Sequence, residues 1–213
     1  MKKVIASFGI GEHSRLLSLA IPTFYLYAHN HNYDIFLPSN DFFSNKTKEN
    51  PASWWKLDII EYLFNTYDQV LWLDADVIIC RFEEDISTKI NSQDDFAAVV
   101  HETPDGQVLN CGVWLLNKSS TKWLSSLRSY NYFRRSSCWW EQAALLHIMG
   151  MDPDDPKIVV PEKCNIPWTQ LDYSWNPHIN DHRKIPQDTK FFHATCFNDR
   201  YATMKHILQQ INI

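Results

Sequence analysis

The sequence predicts a single α/β domain, a central, mostly parallel sheet flanked by helices. Three observations lead there. Short apolar runs suited to strands alternate with longer helical patterns, the order that builds parallel sheets. The run Val70-Leu71-Trp72-Leu73-Asp74-Ala75-Asp76-Val77-Ile78-Ile79 reads as a buried strand that delivers two carboxylates where it ends. No repeat or low-complexity linker divides the 213 residues, a length that suits one domain with a substantial core. With strand–helix–strand–helix preceding the carboxylates, a site is expected at the carboxyl ends of the strands.

Lys3 to Phe8 is the first expected strand, and Gly9-Ile10-Gly11 the turn after it. His13 to Ala28 carries a helical pattern, interrupted at Pro22. Tyr33 to Leu37 is a second strand closed by Pro38, and Ser39 to Pro51 is polar and loop-like. Ser53 is a candidate N-cap for a helix through Thr66, ahead of the Val70 strand. Phe96 to His101 and Val113 to Leu116 are further strands, separated by the turn signal Pro104-Asp105-Gly106. Thr121 to Tyr130 and Trp140 to Met149 read as helices, and Met151 to Pro156 as a proline-broken acidic loop. Ile158 to Val160 and Phe191-Phe192 are short strands, and Met204 to Ile211 is a closing helix.

The net charge of −5, without a basic block, lacks the electrostatic footprint of a nucleic-acid partner. Five dispersed cysteines with no CxxC pair fit reduced thiols, and hence a cytoplasmic location. The amino terminus reads as a strand and not a signal peptide, and no run approaches the roughly 20 apolar residues of a spanning helix. No membrane anchor is expected. Asn45-Lys46-Thr47 matches a glycosylation acceptor, to which little weight attaches without a secretory signal. Nine Trp, nine Tyr and twelve Phe are an unusual aromatic content; most would fill the core, and aromatic faces also suit sugar rings and bases.

Chemistry gathers at five places. Asp74 and Asp76, at positions i and i+2 of extended chain, project the same way and could share one hard cation such as Mg²⁺ or Mn²⁺. Such ions usually bridge to phosphates, so metal-assisted chemistry on a phosphorylated small molecule is implied. His193, after Phe191-Phe192, offers an imidazole that would complete the cation's protein ligands. Asn110-Cys111-Gly112 precedes a strand and would let backbone approach a ligand, or simply turn. Glu141 and Gln142, beside Trp139 and Trp140, could bond sugar hydroxyls, although Glu141 is equally a favourable charge at a helix start. Lys56 is a candidate phosphate partner, as are Arg15, Arg200 and Lys205.

Taken in order, Trp72-Leu73-Asp74-Ala75-Asp76, Asn110-Cys111-Gly112-Val113-Trp114-Leu115-Leu116-Asn117, Glu141-Gln142 and His193-Ala194-Thr195-Cys196 resemble the metal-dependent GT-A glycosyltransferases. The nearest groups are the retaining galactosyl-, mannosyl- and xylosyltransferase families and the glycogenin-like ones. The resemblance covers almost the whole chain. It implies one GT-A domain over residues 1–213, with a nucleotide-binding half at 1–100 and an acceptor- and sugar-binding half at 101–213. It also implies transfer of a hexose or deoxyhexose from a UDP-sugar, with Mn²⁺ or Mg²⁺ and with retention at the anomeric carbon. The acceptor would be a hydroxyl on a glycan or glycoprotein, viral capsid glycans included.

By that resemblance Asp74, Asp76 and His193 hold the metal, with Ala75 between the aspartates against the nucleotide. Asn110 and Gly112 lie under the donor sugar, and Glu141 and Gln142 stand near the reacting carbon. Lys56 contacts donor phosphate or sugar; Arg200 and Arg15 stay candidate phosphate partners on their charge alone. Ser7 and Phe8 hold uridine. Two positions depart from the family pattern: Thr195 stands where a glycine is usual, and Glu141 where an aspartate is usual.

Other readings compete. A haloacid-dehalogenase-type phosphohydrolase would use Asp74 as nucleophile and Asp152, Asp154 and Asp155 as metal carboxylates. It leaves Asn110 and His193 without a role. A sugar nucleotidyltransferase needs a glycine-rich loop that Ser7-Phe8-Gly9-Ile10-Gly11-Glu12 supplies poorly. A non-catalytic carbohydrate-binding domain would bind sugar without regard to metal.

Overall fold

The computed structural model describes residues 1–43 and 52–211. Eight strands and five α-helices form the frame. They are β1 (Lys3–Ala6), α1 (Glu12–His31), β2 (Asp34–Phe36), α2 (Trp55–Leu63), β3 (Gln69–Leu73), β4 (Val77–Ile79), β5 (Phe96–Thr103) and β6 (Gly106–Asn117). The chain continues through α3 (Thr121–Leu124), α4 (Glu141–Ile148), β7 (Trp168–Gln170), β8 (Phe191–His193) and α5 (Arg200–Gln210). The main sheet has the order β2-β1-β3-β6-β5-β7, and β4 pairs with β8 in a small second sheet. Pairings β1–β2, β1–β3 and β5–β7 are parallel, whereas β6 runs antiparallel to both neighbours.

Helices cover both faces. One core gathers α2, α3 and α4 against Val4, Val70, Trp72 and Trp114. The other packs α1, α5 and the β4–β8 sheet against Ile5, Leu71, Leu73 and Leu115. Strand β3, buried at every residue, is the continuous apolar run expected of a strand covered on both sides.

Several elements differ from the sequence reading for identifiable reasons. Helix α1 passes through Pro22 unbroken. Pro22 and Ser18, whose carbonyl loses its partner, both face solvent, where water can replace the missing bond. Helix α2 is led by a short 3₁₀ turn over Ala52–Trp54, and its N-cap position is Trp54 without a side-chain cap; Ser53 does not cap it. The aspartates do not sit inside one long strand. The chain leaves β3 at Leu73, carries Asp74 to Asp76 in a turn, and resumes in β4. Residues 121–130 split into a four-residue α3 and a 3₁₀ turn over Ser125–Tyr130. Ile158 forms only an isolated bridge to Gly106, and the edge strand is β7 instead. Helix α5 starts at Arg200, four residues earlier than its apolar pattern, because the Asp199 carboxylate caps the Ala202 N–H. The Asn45-Lys46-Thr47 sequence and residues 44–51 of the expected loop lie outside the described residues.

Candidate active site

The carboxyl ends of β1 and β3 open onto a cavity of about 1010 Å³. The Asp74 backbone N–H donates to the Gly112 carbonyl at 2.8 Å, so the turn after β3 lies against Asn110–Gly112 of β6. The Ala194 N–H donates to the Asp76 carbonyl at 2.9 Å, and the β4–β8 register pairs Val77 with His193. These two sets of backbone bonds bring Asp74, Asp76 and His193 together from three chain segments. One ligand-type atom of each lies within 4.8 Å of the others. Two carboxylates and an imidazole are a suitable donor set for a divalent cation.

The His193 ring sits tightly over Gly112. A Cβ at 112 would stand 2.1 Å from His193 Cε1 and 2.9 Å from Asn110 Oδ1, so only glycine fits. The Asn110 carbonyl oxygen Oδ1 accepts from the Gly112 N–H at 2.8 Å and from Asn176 Nδ2 at 2.9 Å, which fixes the amide.

Asp76 is 4% exposed and faces His193 Nε2 at 3.2 Å and Arg200 Nη1 at 3.1 Å. Burial disfavours its charge, but His193 and Arg200 outweigh that and hold the carboxyl well below the ordinary carboxylate range. Asp74 is engaged differently. Its Oδ1 accepts from Trp72 Nε1 at 2.6 Å and from Lys56 Nζ at 3.1 Å.

Lys56 is buried and also meets Glu141 Oε1 at 2.7 Å. Burial works against its ammonium, yet the carboxylates of Asp74 and Glu141 prevail and keep it protonated above the ordinary lysine value. Burial pushes the Glu141 carboxyl upward, with Lys56 pulling the other way. Trp140 at φ 44° makes the sharp turn that starts α4 with Glu141 directed into this buried cluster. Gln142 Oε1 accepts the Cys111 N–H at 3.3 Å.

Most of the residues singled out in the sequence thus line one cavity: Phe8, Lys56, Asp74, Ala75, Asp76, Asn110, Gly112, Glu141, Gln142, His193 and Arg200. Two do not line it. Ser7 is fully buried behind Phe8 and extends the β1–β2 pairing through its N–H. Arg15 stacks over Tyr201, with its guanidinium carbon 4.9 Å from the ring centroid. Lys205 lies over the same ring at 5.7 Å. The aspartates of the 151–156 loop do not line the cavity either, and Asp154 accepts from the Arg134 and Arg135 backbone.

Sequence reasoning missed Trp72 as a polar partner, although its place two residues before Asp74 puts both on one side of the chain. It also missed His101 and His178, which line the same cavity with ring centroids 4.9 Å apart, His101 Nε2 lying 2.6 Å from the carbonyl of Asn176, the residue that bonds Asn110. Burial pushes His101 down to about 3 and His178 down to about 4, so both are neutral. The unfolded chain takes up these protons near pH 6.5, so the folded state's advantage is complete above that pH and declines as pH falls towards 4. For the fully buried His101 the loss by pH 5 is about 2 kcal/mol. Unfolding curves at pH 7 and pH 5 should show this fall, and His101→Gln should flatten it.

Residues 13–147, more than half of the chain, match the description Glycosyl transferase family 8. The chain belongs to this family. It is a glycosyltransferase with the GT-A fold. A glycosyltransferase involved in glycosylation of the major capsid of PBCV-1 superimposes with a TM-score of 0.71 at 18% identity, over 98% of this chain and 100% of that one. GlyE of Streptococcus pneumoniae TIGR4 gives a TM-score of 0.58 at 15% identity, with 99% of this chain and 63% of that one covered. The bifunctional glycosyltransferase WbbM gives 0.61 at 14% identity, and this chain spans 51% of its length. At these identities the likeness establishes the fold. No curated protein gives a significant match. Among the described residues, no helix of this family member is long and apolar enough to cross a membrane.

Proposed function

We propose that the protein transfers a hexose or deoxyhexose from a UDP-sugar to a hydroxyl of a glycan or glycoprotein, with a divalent cation and with retention of anomeric configuration. The observation that carries this reading is the Asp74–Asp76–His193 cluster on the wall of the cavity, beside the buried Lys56–Glu141 pair. Mn²⁺ or Mg²⁺ held by those three residues would neutralise charge on the leaving diphosphate and orient it.

In this reading, residues 1–100 hold the nucleotide and residues 101–213 supply the sugar and acceptor walls. Phe8, in a cluster with Phe43 and Trp55, offers an aromatic face to the base. Arg200, half-buried beside Asp76, stabilises charge on the departing diphosphate. Lys56 holds Asp74 and Glu141 in place and faces the sugar end of the donor. Retention is favoured because Glu141, 3% exposed and ion-paired to Lys56, is poorly placed to take a proton from an acceptor.

Incubation with a panel of UDP-sugars should release UDP from at least one hexose or deoxyhexose donor, and EDTA should suppress that release. NMR of the first-formed product should show a retained anomeric bond. Release indifferent to EDTA, or a burst of phosphate from simple phosphoesters, would contradict the reading. Gly112→Ala should displace His193 and weaken Mn²⁺ binding at least about tenfold, measured by titration of free Mn²⁺.

A further inference from the structure

Both donors that reach Asp74 fall on the same oxygen. The Trp72 indole Nε1–H donates to Oδ1 at 2.6 Å and the Lys56 ammonium at 3.1 Å. A carboxylate oxygen offers about two lone-pair directions, so Oδ1 is saturated and Oδ2 is the oxygen left for a cation. Asp74 needs such a grip. Its side chain is 32% exposed, against 5% for Asp76 and 4% for His193, so packing alone does not fix its rotamer.

Trp72 is suited to hold it. The ring is 1% exposed, meets Phe8 edge-on at 6.0 Å, has the Lys56 ammonium 5.5 Å from its centroid, and pairs across the sheet with Trp114. An indole locked this way gives its N–H a fixed direction, and a charge-assisted bond to a carboxylate is stronger than a neutral one. Lys56 divides its protons between Asp74 and Glu141, whereas the indole N–H has one acceptor.

We propose that Trp72 is a positioning residue for the cation site, its indole N–H turning Asp74 so that Oδ2 faces Asp76 and His193. The inference rests on the reading of that cluster as a cation site. It adds a residue that does not touch the cation. Groups that orient metal ligands typically contribute 10–100-fold to metal affinity.

The test combines a spectrum with a titration. In ¹⁵N-labelled wild-type protein, two of the nine indole N–H resonances should lie downfield, that of Trp123, which donates to Asp95 Oδ2 at 2.9 Å, and that of Trp72. The Trp72 resonance should be absent from Trp72→Phe and move upfield in Asp74→Asn, a change that a packing role alone would not produce. In parallel, Mn²⁺ uptake in the presence of UDP, read as loss of the free-Mn²⁺ paramagnetic signal, should weaken about tenfold in Trp72→Phe. Mn²⁺ affinity in folded Trp72→Phe equal to wild type would overturn the proposal, as would a Trp72 indole resonance unmoved in Asp74→Asn. Should Trp72→Phe fail to fold, the Asp74→Asn spectrum still decides whether the bond exists. If wild-type protein binds UDP but takes up no Mn²⁺, the cation reading itself falls and this proposal with it. That result is distinct from one in which only Trp72→Phe is unaffected.

Discussion

Asp76→Ala should abolish metal-dependent nucleotide binding and lower transfer on the order of 10²–10³-fold, the range found when one key electrostatic group is removed from a site. The carboxylate is the most enclosed acidic member of the cluster, fixed between His193 at 3.2 Å and Arg200 at 3.1 Å. Its loss leaves the His193 ring and the Arg200 guanidinium without the carboxylate between them, where a cation should bind. Asp76→Asn keeps the volume and separates charge from packing: it should fold but melt below wild type, because the charge held by His193 and Arg200 is gone, and be inactive. The carboxyl is held below its ordinary value of 3.8, so its contribution to stability is complete above that value and is lost only as pH falls through the lowered one. Activity lost between pH 7 and pH 5 would therefore have another origin, such as the fall in stability that the buried, neutral His101 and His178 impose as the unfolded chain takes up protons.

Lys56→Met should be among the most destabilising single substitutions in the protein, costing about 3–5 kcal/mol, the usual penalty for breaking a buried ion pair by removing one partner. Lys56 is the cation for both Asp74 and Glu141, and Glu141 Oε2 has no hydrogen-bond partner among the described residues. Without the ammonium, burial raises the Glu141 carboxyl further, and the folded state then binds a proton that the unfolded chain does not. This uptake should offset part of the stability that His101 and His178 cost as pH falls from 7 towards 5, so the variant should lose less over that range than the wild type does. Denaturant unfolding at the two pH values reads this shallower slope. Glu141→Gln, which keeps an acceptor for Lys56, should cost less.

The parts of the fold carried by long apolar patterns were legible in the sequence. β1, α1, β3, β5 and the Val113–Leu116 half of β6 follow from burial of one stripe, or of both faces, which a single chain shows directly; the first half of β6, from Gly106 through Gly112, forms by pairing with β5 and carries no such run. Elements set by local hydrogen bonds or by pairing at a distance were not. Trp168–Gln170 becomes β7 only because β5 offers a parallel edge, and the start of α5 depends on the Asp199 cap. In the site, Asp74 and Asp76 were visible as charges inside an apolar run, and a histidine after Phe191-Phe192 was a natural partner for them. Its reason for meeting them lies in the Val77–His193 register, 116 residues apart in sequence. Trp72 reads as one more core aromatic because the direction of its N–H is a property of packing, and Arg15 reads as a phosphate partner because charge alone does not say which wall it faces.

The most direct test of the central claim is calorimetric titration of UDP into wild type and Asp76→Ala, each with Mn²⁺ and with EDTA. Heat of binding seen only for wild type with Mn²⁺ is the result predicted for a nucleotide-sugar site built on Asp74, Asp76 and His193. UDP binding that persists in EDTA or in the variant, or that is absent throughout, would contradict it.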